Sequence, residues 1–244
     1  MPAALGATTP VRGVLPTDYA RLVPDVWWAR PVDPSSAPHL VALLDEHEHT
    51  RLAAFRRPAD RARYLAAHAL TRLLLGARLG ADPAAITLDR TCRCGKPHGK
   101  PRLAAGTAPA FSLTHSGDRV GVALSDDGPV GLDVEEIRDL SDLARLAEHA
   151  LSPAERTRPP ADARAFLTVW TRKEALLKAT GEGLASPMDA ITLGPTGVVE
   201  AWTDGPGAAW VVDLDAGPGH PAAVAGLGAV APQVRTHDGA ALLR

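Results

Sequence analysis

Apolar residues recur with a helical period in two long stretches of the chain, 59–79 and 163–180. Pro58 precedes the first stretch and Asp162, a good N-cap residue, precedes the second, and glycines lie near the end of each. Such residues commonly mark the ends of helices. The pattern therefore predicts two long helices.

Short apolar or alternating segments bounded by turn residues predict strands. They are 25–30, 86–88, a strand starting at Phe111, 120–124, 130–137, 190–193, 198–202, 209–214 and 222–225. Helices followed by a hairpin-rich run of strands occur twice. This predicts an α+β fold of two similar subdomains in a pseudo-twofold arrangement, each a small antiparallel sheet packed with helices. We place the boundary at the turn Asp127-Gly128, giving subdomains 1–127 and 128–244, and predict no clear element after Pro232.

The composition of the 244 residues suits a buried core, with 45% hydrophobic residues and no apolar run of membrane-spanning length. Residues 1–22 suggest a loosely held leader, and 1–16 lack the continuous apolar region of a signal peptide. The two cysteines, Cys92 and Cys94, are separated by one residue, which makes a disulfide framework improbable. A reducing, cytoplasmic setting is therefore expected.

Charge is distributed unevenly along the chain. The net charge is −2, yet residues 51–102 carry twelve Lys or Arg against three acids, which leaves 14 basic and 25 acidic residues elsewhere. A positive segment in an acidic protein suits a phosphate-bearing ligand or an acidic protein partner. Nucleic acid is a weaker candidate because the basic segment has only two aromatic residues, Phe55 and Tyr64, on which bases could stack. The alternative is a solvated arginine-rich helix face.

The loop 92–101 contains two candidate features. Cys92, Cys94 and His98 could be zinc ligands, although the sequence has no clear fourth ligand nearby. Gly99-Lys100-Pro101 places an ammonium group on a stiffened turn. The second feature is the more useful for a phosphate-binding protein.

Two acidic residues occupy the strand predicted at 130–137. Asp133 and Glu135 share one face because side chains alternate along a strand. Neighbouring carboxylates repel each other unless a cation joins them, so this pair is a plausible half of a Mg²⁺ site. Upstream, Thr114-His115-Ser116 offers donors for a phosphate, or alternatively a histidine satisfied within a turn.

The second long helix presents Trp170, Glu174 and Lys178 on one face, four residues apart. Taken alone, the acid and base could be an exposed pair worth about 0.3–0.5 kcal/mol. Asp133 and Glu135 favour a different interpretation, in which Glu174 is the third oxygen ligand of a metal ion.

The combined pattern resembles the two-part signature of the 4′-phosphopantetheinyl transferases. Its parts are Asp133-x-Glu135 and Trp170-x-x-Lys173-Glu174-x-x-x-Lys178, and Glu174 follows Asp133 by 41 positions. The motifs 99–101, 114–116 and Gly181-x-Gly183-Leu184 also stand in the family's order. The resemblance covers roughly residues 50–225. The length and doubled architecture resemble the single-chain surfactin type.

This resemblance implies a reaction. The serine hydroxyl of an apo carrier protein attacks the β-phosphate of coenzyme A, receives the 4′-phosphopantetheine arm and releases 3′,5′-ADP. Asp133, Glu135 and Glu174 would bind Mg²⁺, with Mn²⁺ as an alternative. Glu174 would act as the base, directly or through a metal-bound water, and Lys178 would face the pyrophosphate.

The resemblance also assigns coenzyme A contacts. Lys100, His115 and Arg51 would bind the 3′-phosphate. Arg51 is the least secure, because Glu48 stands where the family has a second basic residue, and Arg63 could replace it.

Three further residues of the motifs receive implied roles. Thr114 or its backbone would lie near the diphosphate. Lys173 would serve either phosphate binding or the fold. Trp170 would chiefly pack beneath its helix.

The implied partners are acyl, polyketide and peptidyl carrier proteins, whose acidic surfaces the basic segment would attract. The predicted helix 141–151, with Leu140, Leu143 and Leu146, could contact the carrier or simply pack into the core. A doubled architecture places both half-sites in one chain, so we expect a monomer that binds neither nucleic acid nor membrane.

Two other functions use the same residues. A Mg²⁺-dependent phosphohydrolase would use the carboxylates but would not account for the motifs at 99–101 and 114–116. A non-catalytic module that binds coenzyme A or a carrier would not need all three carboxylates and Lys178.

Overall fold

The computed structural model describes residues 23–92, 94–104, 108–140, 142–181 and 186–244. The predicted leader and the Gly183-Leu184 part of the motif lie outside the described residues. Within them, no helix is both long enough and apolar enough to cross a membrane.

The helices are α1 (Pro38–Val41), α2 (Glu46–Ala54), α3 (Pro58–Leu79), α4 (Leu143–Ala150), α5 (Pro153–Arg156) and α6 (Ala163–Thr180). The strands are β1 (Asp25–Ala29), β2 (Leu88–Asp89), β3 (Arg102–Leu103), β4 (Ala110–Ser116), β5 (Arg119–Ser125), β6 (Val130–Val134), β7 (Ile191–Leu193), β8 (Val199–Trp202), β9 (Ala209–Asp215), β10 (Pro221–Leu227) and β11 (Arg235–Asp238).

The two long helices end where their boundary residues predict. Pro58 lies in the first turn of α3, and Gly80 stops it in the left-handed conformation, with φ of 64°. The Asp162 side chain accepts a hydrogen bond from the backbone N–H of Ala165, which caps α6, and Gly181 ends it with φ of 77°. Both predicted helices are confirmed.

The larger sheet has the order β11-β1-β5-β4, and α3 packs against it. Leu65, Leu70 and Leu74 of α3 are fully buried in this core. Two strands were not predicted, the short β3 and, in this sheet, β11, which lies in the polar tail. Strand β11 pairs in parallel with β1, and so brings the end of the chain back to the first sheet.

The second sheet, β6-β10-β9, is antiparallel and packs against α6. Gly131 on β6 allows this helix to lie very close to the sheet. A Cβ atom at Gly131 would overlap the carbonyl oxygen of Ala175 and come within 2.5 Å of the backbone nitrogen of Ala179. Glycine is thus required here for close approach between helix and strand.

The two sheets meet along β4 and β6, which are joined through hydroxyl groups. The hydroxyls of β4 accept hydrogen bonds from backbone N–H groups twenty residues later, at 3.0–3.3 Å. The pairs are Ser112 with Leu132, Thr114 with Val134, and Ser116 with Glu136. The constant offset means that the strands run in the same direction. The predicted α+β class, with two small sheets each packed with helices, is confirmed.

Most predicted strand limits agree with the structure to within one or two residues, and two of the differences matter here. The segment predicted at 86–88 forms a strand only from Leu88, because Pro83–Ala85 makes a short 3₁₀ helix whose last backbone bond reaches Ile86. The strand predicted to reach residue 137 ends at Val134. Glu135 therefore lies just past the end of β6, although its N–H still donates to the Pro221 carbonyl.

Candidate active site

An acid–base pair joins β6 to α6. The Lys178 ammonium lies 2.6 Å from Asp133 Oδ1 and also donates to the Leu132 carbonyl at 3.1 Å. The contact depends on the close packing of α6 against β6 at Gly131, two residues before Asp133. The helix residue nearest to Gly131 is Ala175, three residues before Lys178. The sequence motifs thus come together across the helix–sheet contact.

Asp133 is only 4% exposed, and its two oxygens differ. Oδ1 accepts hydrogen bonds from Lys178 and from the Thr114 hydroxyl at 3.2 Å. Oδ2 is buried and has no hydrogen-bond partner among the described residues. A buried carboxylate oxygen without a partner is costly, so Oδ2 suits a cation that the protein would bind here.

Three carboxyl groups share this region. Burial raises the pKa of Asp133, and burial followed by repulsion from Asp133 raises the pKa of both Glu135 and Glu174. A nearby positive charge would therefore stabilise the ionised form of each carboxyl group. Oxygen ligands are those that Mg²⁺ prefers, so the residues present fit this ion.

Hydroxyl groups of β4 hold two of these carboxylates. Thr114 donates to Asp133, and Ser116 donates to Glu135 Oε2 at 2.9 Å. Both hydroxyls are also committed to backbone groups of β6 or the residues after it. The sequence suggested a phosphate contact for this segment and missed the orienting role of Ser116. The available signal was the alternation of hydroxyl residues at 112, 114 and 116.

Two basic residues lie beside the carboxylates. The Lys100 ammonium donates to the Val130 carbonyl at 2.7 Å, and burial, followed by the charge of Lys178, lowers its pKa to about 8. The His115 side chain reaches solvent, but the surrounding protein partly desolvates its ring, and this desolvation lowers its pKa to about 4. The charges of Lys178, His68 and Arg63 act in the same direction. A bound phosphate would offset the repulsion among these positive charges.

Lys173 has a different role from Lys178 although both are on α6. Its side chain is fully buried, and its ammonium donates to the carbonyls of Ala150 at 2.7 Å and Met188 at 3.2 Å and pairs with Glu155. All three ammonium hydrogens therefore have protein acceptors. Of the two roles expected for Lys173, this arrangement favours the one in the fold over a contact to coenzyme A.

Trp170, also on α6, is partly buried against the core between α6 and the second sheet, with its ring 6.0 Å from that of Phe166. This arrangement agrees with the predicted packing role. Leu140, Leu143 and Leu146 likewise pack against the same core, as one of the two alternatives for this segment predicts.

Arg51 and Glu48 lie on different sides of α2. Arg51 is exposed, with its guanidinium carbon 5.8 Å from the centre of the Phe55 ring. Glu48 is fully buried and pairs with Arg72 at 2.6 Å and Arg90 at 2.8 Å. The residue that departs from the family pattern is thus part of the core and does not face a ligand.

Arg63, the alternative to Arg51 as a contact for the 3′-phosphate, lies between the Gly117 carbonyl and the Asp60 carboxylate. Its guanidinium donates to the Gly117 carbonyl at 3.0 Å and pairs with Asp60. Its charge acts on His115, which places it near the same surface.

Two family models match the chain one after the other. The model of the N-terminal region of 4′-phosphopantetheinyl transferase matches residues 29–126, and that of the 4′-phosphopantetheinyl transferase superfamily matches residues 129–224. The two matches meet near the turn that separates β5 from β6. Together they include every residue of the site described above.

Similar proteins from several organisms carry the name of the same family. The 4′-phosphopantetheinyl transferase HetI of Nostoc sp. is 35% identical over 177 residues, which cover 69% of this chain and 74% of HetI. A 4′-phosphopantetheinyl transferase of Bacillus subtilis is 25% identical over 173 residues, again 69% and 74% of the two chains. AcpT of Salmonella typhi is 46% identical over 90 residues, which cover 34% of this chain and 46% of AcpT. This chain belongs to the 4′-phosphopantetheinyl transferase superfamily.

Proposed function

We propose that the chain transfers the 4′-phosphopantetheine arm of coenzyme A to a serine hydroxyl of apo carrier proteins and releases 3′,5′-ADP. The observation that carries this proposal is the contact between Asp133 and Lys178, which joins β6 to α6, with Glu174 one turn before Lys178 on the same helix. That contact lies within the region matched by the superfamily model.

Asp133, Glu135 and Glu174 would hold Mg²⁺, with Mn²⁺ as an alternative. The buried free oxygen of Asp133 and the raised pKa values of all three carboxyl groups support this assignment. When bound, the ion would neutralise charge on the diphosphate. Thr114 and Ser116 orient two of the ligands, as outer partners of metal sites commonly do.

The chain's own residues supply the remaining chemistry. The serine oxygen forms a bond to the β-phosphorus of coenzyme A while the bond from that phosphorus to the oxygen of 3′,5′-ADP breaks. Glu174 takes the serine proton, either directly or through a water molecule. The Lys178 ammonium, held between Asp133 and Leu132, stabilises the negative charge that develops on the diphosphate.

The 3′-phosphate would bind to Lys100 and His115, with Arg51 or Arg63 as a further contact. The lowered pKa values of Lys100 and His115 support this, because a phosphate would favour their charged forms. Thr114 would lie near the diphosphate and contribute through its backbone, because its hydroxyl is engaged with Asp133 and Val134.

The proposed partners are acyl, polyketide and peptidyl carrier proteins. The basic segment 51–102 would attract their acidic surfaces. We further propose a cytoplasmic, monomeric enzyme of the single-chain surfactin type, with its subdomain boundary at Asp127-Gly128. The coverage of HetI and of the Bacillus subtilis transferase by one chain supports the single-chain assignment.

Mass spectrometry tests the proposal directly. An apo carrier protein is incubated with this protein, coenzyme A and Mg²⁺, and we expect its mass to rise by one phosphopantetheine arm. The same mixture without Mg²⁺ is the control. Release of 3′,5′-ADP without a carrier would indicate a phosphohydrolase. Tight calorimetric binding of coenzyme A without mass gain on any carrier would indicate a non-catalytic module.

A further inference from the structure

A loop outside the carboxylate site brings two cysteines and a histidine together. The sulfur atoms of Cys92 and Cys94 and a ring nitrogen of His98 all lie within 4.8 Å of one another. Cys94 Sγ is 3.1 Å from His98 Nε2. In the part of the chain that the structure describes, no other three His, Cys, Asp or Glu side chains bring their ligand atoms so close together.

The backbone of this loop forms a tight turn that returns Cys94 towards Cys92. The N–H of Gly95 donates to the Cys92 carbonyl at 2.8 Å, and the N–H of Cys92 donates to the Lys96 carbonyl at 2.9 Å. Gly95 has φ of 80°, a conformation that residues with a side chain rarely adopt. The turn thus holds the two sulfurs on one side of the loop.

A second glycine brings His98 back over the same turn. The N–H of Gly99 donates to the Arg90 carbonyl at 2.7 Å. A Cβ atom on Gly99 would lie 3.0 Å from the Thr91 carbonyl oxygen and 3.1 Å from the Cys92 Cα atom. The absence of a side chain at this position therefore permits the close backbone contact that places the imidazole beside the thiols.

The chemistry of these three groups selects the ion. Thiolate sulfur and imidazole nitrogen are ligands of Zn²⁺, whereas Mg²⁺ prefers oxygen. Two thiolates and a neutral imidazole balance the charge of one divalent ion. Cys94 and His98 are exposed, which leaves a path for the ion to enter.

We propose that Cys92, Cys94 and His98 bind one zinc ion, with water in the fourth position. Three protein ligands and one water is an arrangement that zinc adopts in open sites, so a fourth protein ligand is not required. On binding, each cysteine loses its thiol proton to solvent and forms a sulfur–zinc bond. The ion fixes the loop that precedes Lys100, and the site is separate from the carboxylates of β6 and α6.

The test uses the full chain, freed of metal with a chelator and kept under a thiol-free reductant. Zn²⁺ is titrated in competition with a chromophoric chelator. We expect one tightly held ion per chain. Cys94→Ser and His98→Ala should each weaken binding by more than about 100-fold, because even residues that only orient a ligand account for about 10–100-fold.

Two variants are matched controls. Lys96→Ala changes an exposed side chain of the same loop, and Asp133→Asn changes the other candidate metal site; neither should alter the Zn²⁺ affinity. Cobalt(II) in place of zinc should give a thiolate-to-metal charge-transfer band that Cys94→Ser removes. The proposal is overturned if Cys94→Ser binds Zn²⁺ as tightly as the unchanged chain, or if Asp133→Asn alone abolishes binding.

Discussion

The ammonium group of Lys178 lies 2.6 Å from Oδ1 of Asp133, although the two residues are 45 positions apart in the chain. Lys178 belongs to α6 and Asp133 to β6, so the contact joins the two parts of the family signature. It occupies one carboxylate oxygen and leaves the other, which is buried, without a hydrogen-bond partner among the described residues. One carboxylate can thus serve both a lysine and a metal ion.

Replacing Asp133 by asparagine should abolish metal binding and transfer while preserving the shape of the side chain. We expect the transfer rate to fall by at least about 100-fold, beyond the effect of a residue that merely orients a ligand. Mg²⁺ should raise the melting temperature of the unchanged protein, because a ligand of the native state stabilises it, and should not raise that of Asp133→Asn. Asp127→Asn, in an exposed turn, is the control. Normal Mg²⁺-dependent transfer by Asp133→Asn would contradict the metal assignment.

Binding of 3′,5′-ADP should weaken as the pH rises above about 8, where Lys100 loses its proton. The sign follows from the charge, because only the protonated ammonium attracts the phosphate. Lys100→Arg should retain binding to higher pH, since arginine stays protonated. Lys100→Ala should bind weakly at every pH. Calorimetry between pH 7 and pH 10 measures the three affinities, and an identical pH profile for all three would remove Lys100 from the phosphate site.

Lys173 should affect stability and not coenzyme A binding. Lys173→Ala removes the cation that faces the largely buried Glu155 carboxylate, and breaking such a pair typically costs about 3–5 kcal/mol of unfolding free energy. The KM for coenzyme A should stay unchanged in the folded fraction of the variant. Urea denaturation and initial rates at several coenzyme A concentrations measure the two effects. A raised KM with unchanged stability would restore Lys173 as a ligand contact.

Glu48→Gln should destabilise the first subdomain. Burial alone would raise the pKa of Glu48, but the hydrogen bond and charge of His68, together with the charge of Arg72, lower it to about 2. From the usual value of 4.5 this corresponds to about 3 kcal/mol. The stabilisation is complete above pH 4.5 and is lost as the pH falls towards 2. The difference in urea-unfolding free energy between the two proteins should therefore shrink on acidification, whereas the exposed Glu46→Gln should show little difference at any pH.

Gly131→Ala should force α6 away from β6, because its Cβ atom would overlap the backbone at Ala175. Overpacking of this kind typically costs about 1–3 kcal/mol. The shift would also separate Lys178 from Asp133, so transfer should fall even at temperatures where the variant remains folded. Gly207→Ala is a suitable control, since no atom lies within 4 Å of the added carbon. Equal stability and activity of the two variants would show that the close approach is unnecessary.

The sequence by itself determined the features that depend on neighbouring residues. Helix α3 begins with Pro58 and stops at Gly80, and α6 begins after Asp162, because caps and fixed dihedral angles act within one turn. The ordered motifs at 99–101, 114–116, 133–135 and 170–178 likewise indicate the family.

Only the tertiary structure decided what each side of a helix faces. Lys173 and Lys178 belong to the same motif, yet one is sealed in the core with Glu155 and the other reaches Asp133. Strand β11 has no clear apolar pattern and forms because β1 offers it an edge to pair with. Such outcomes depend on partners far away in the chain, and a local pattern contains no information about which partner a side chain will meet.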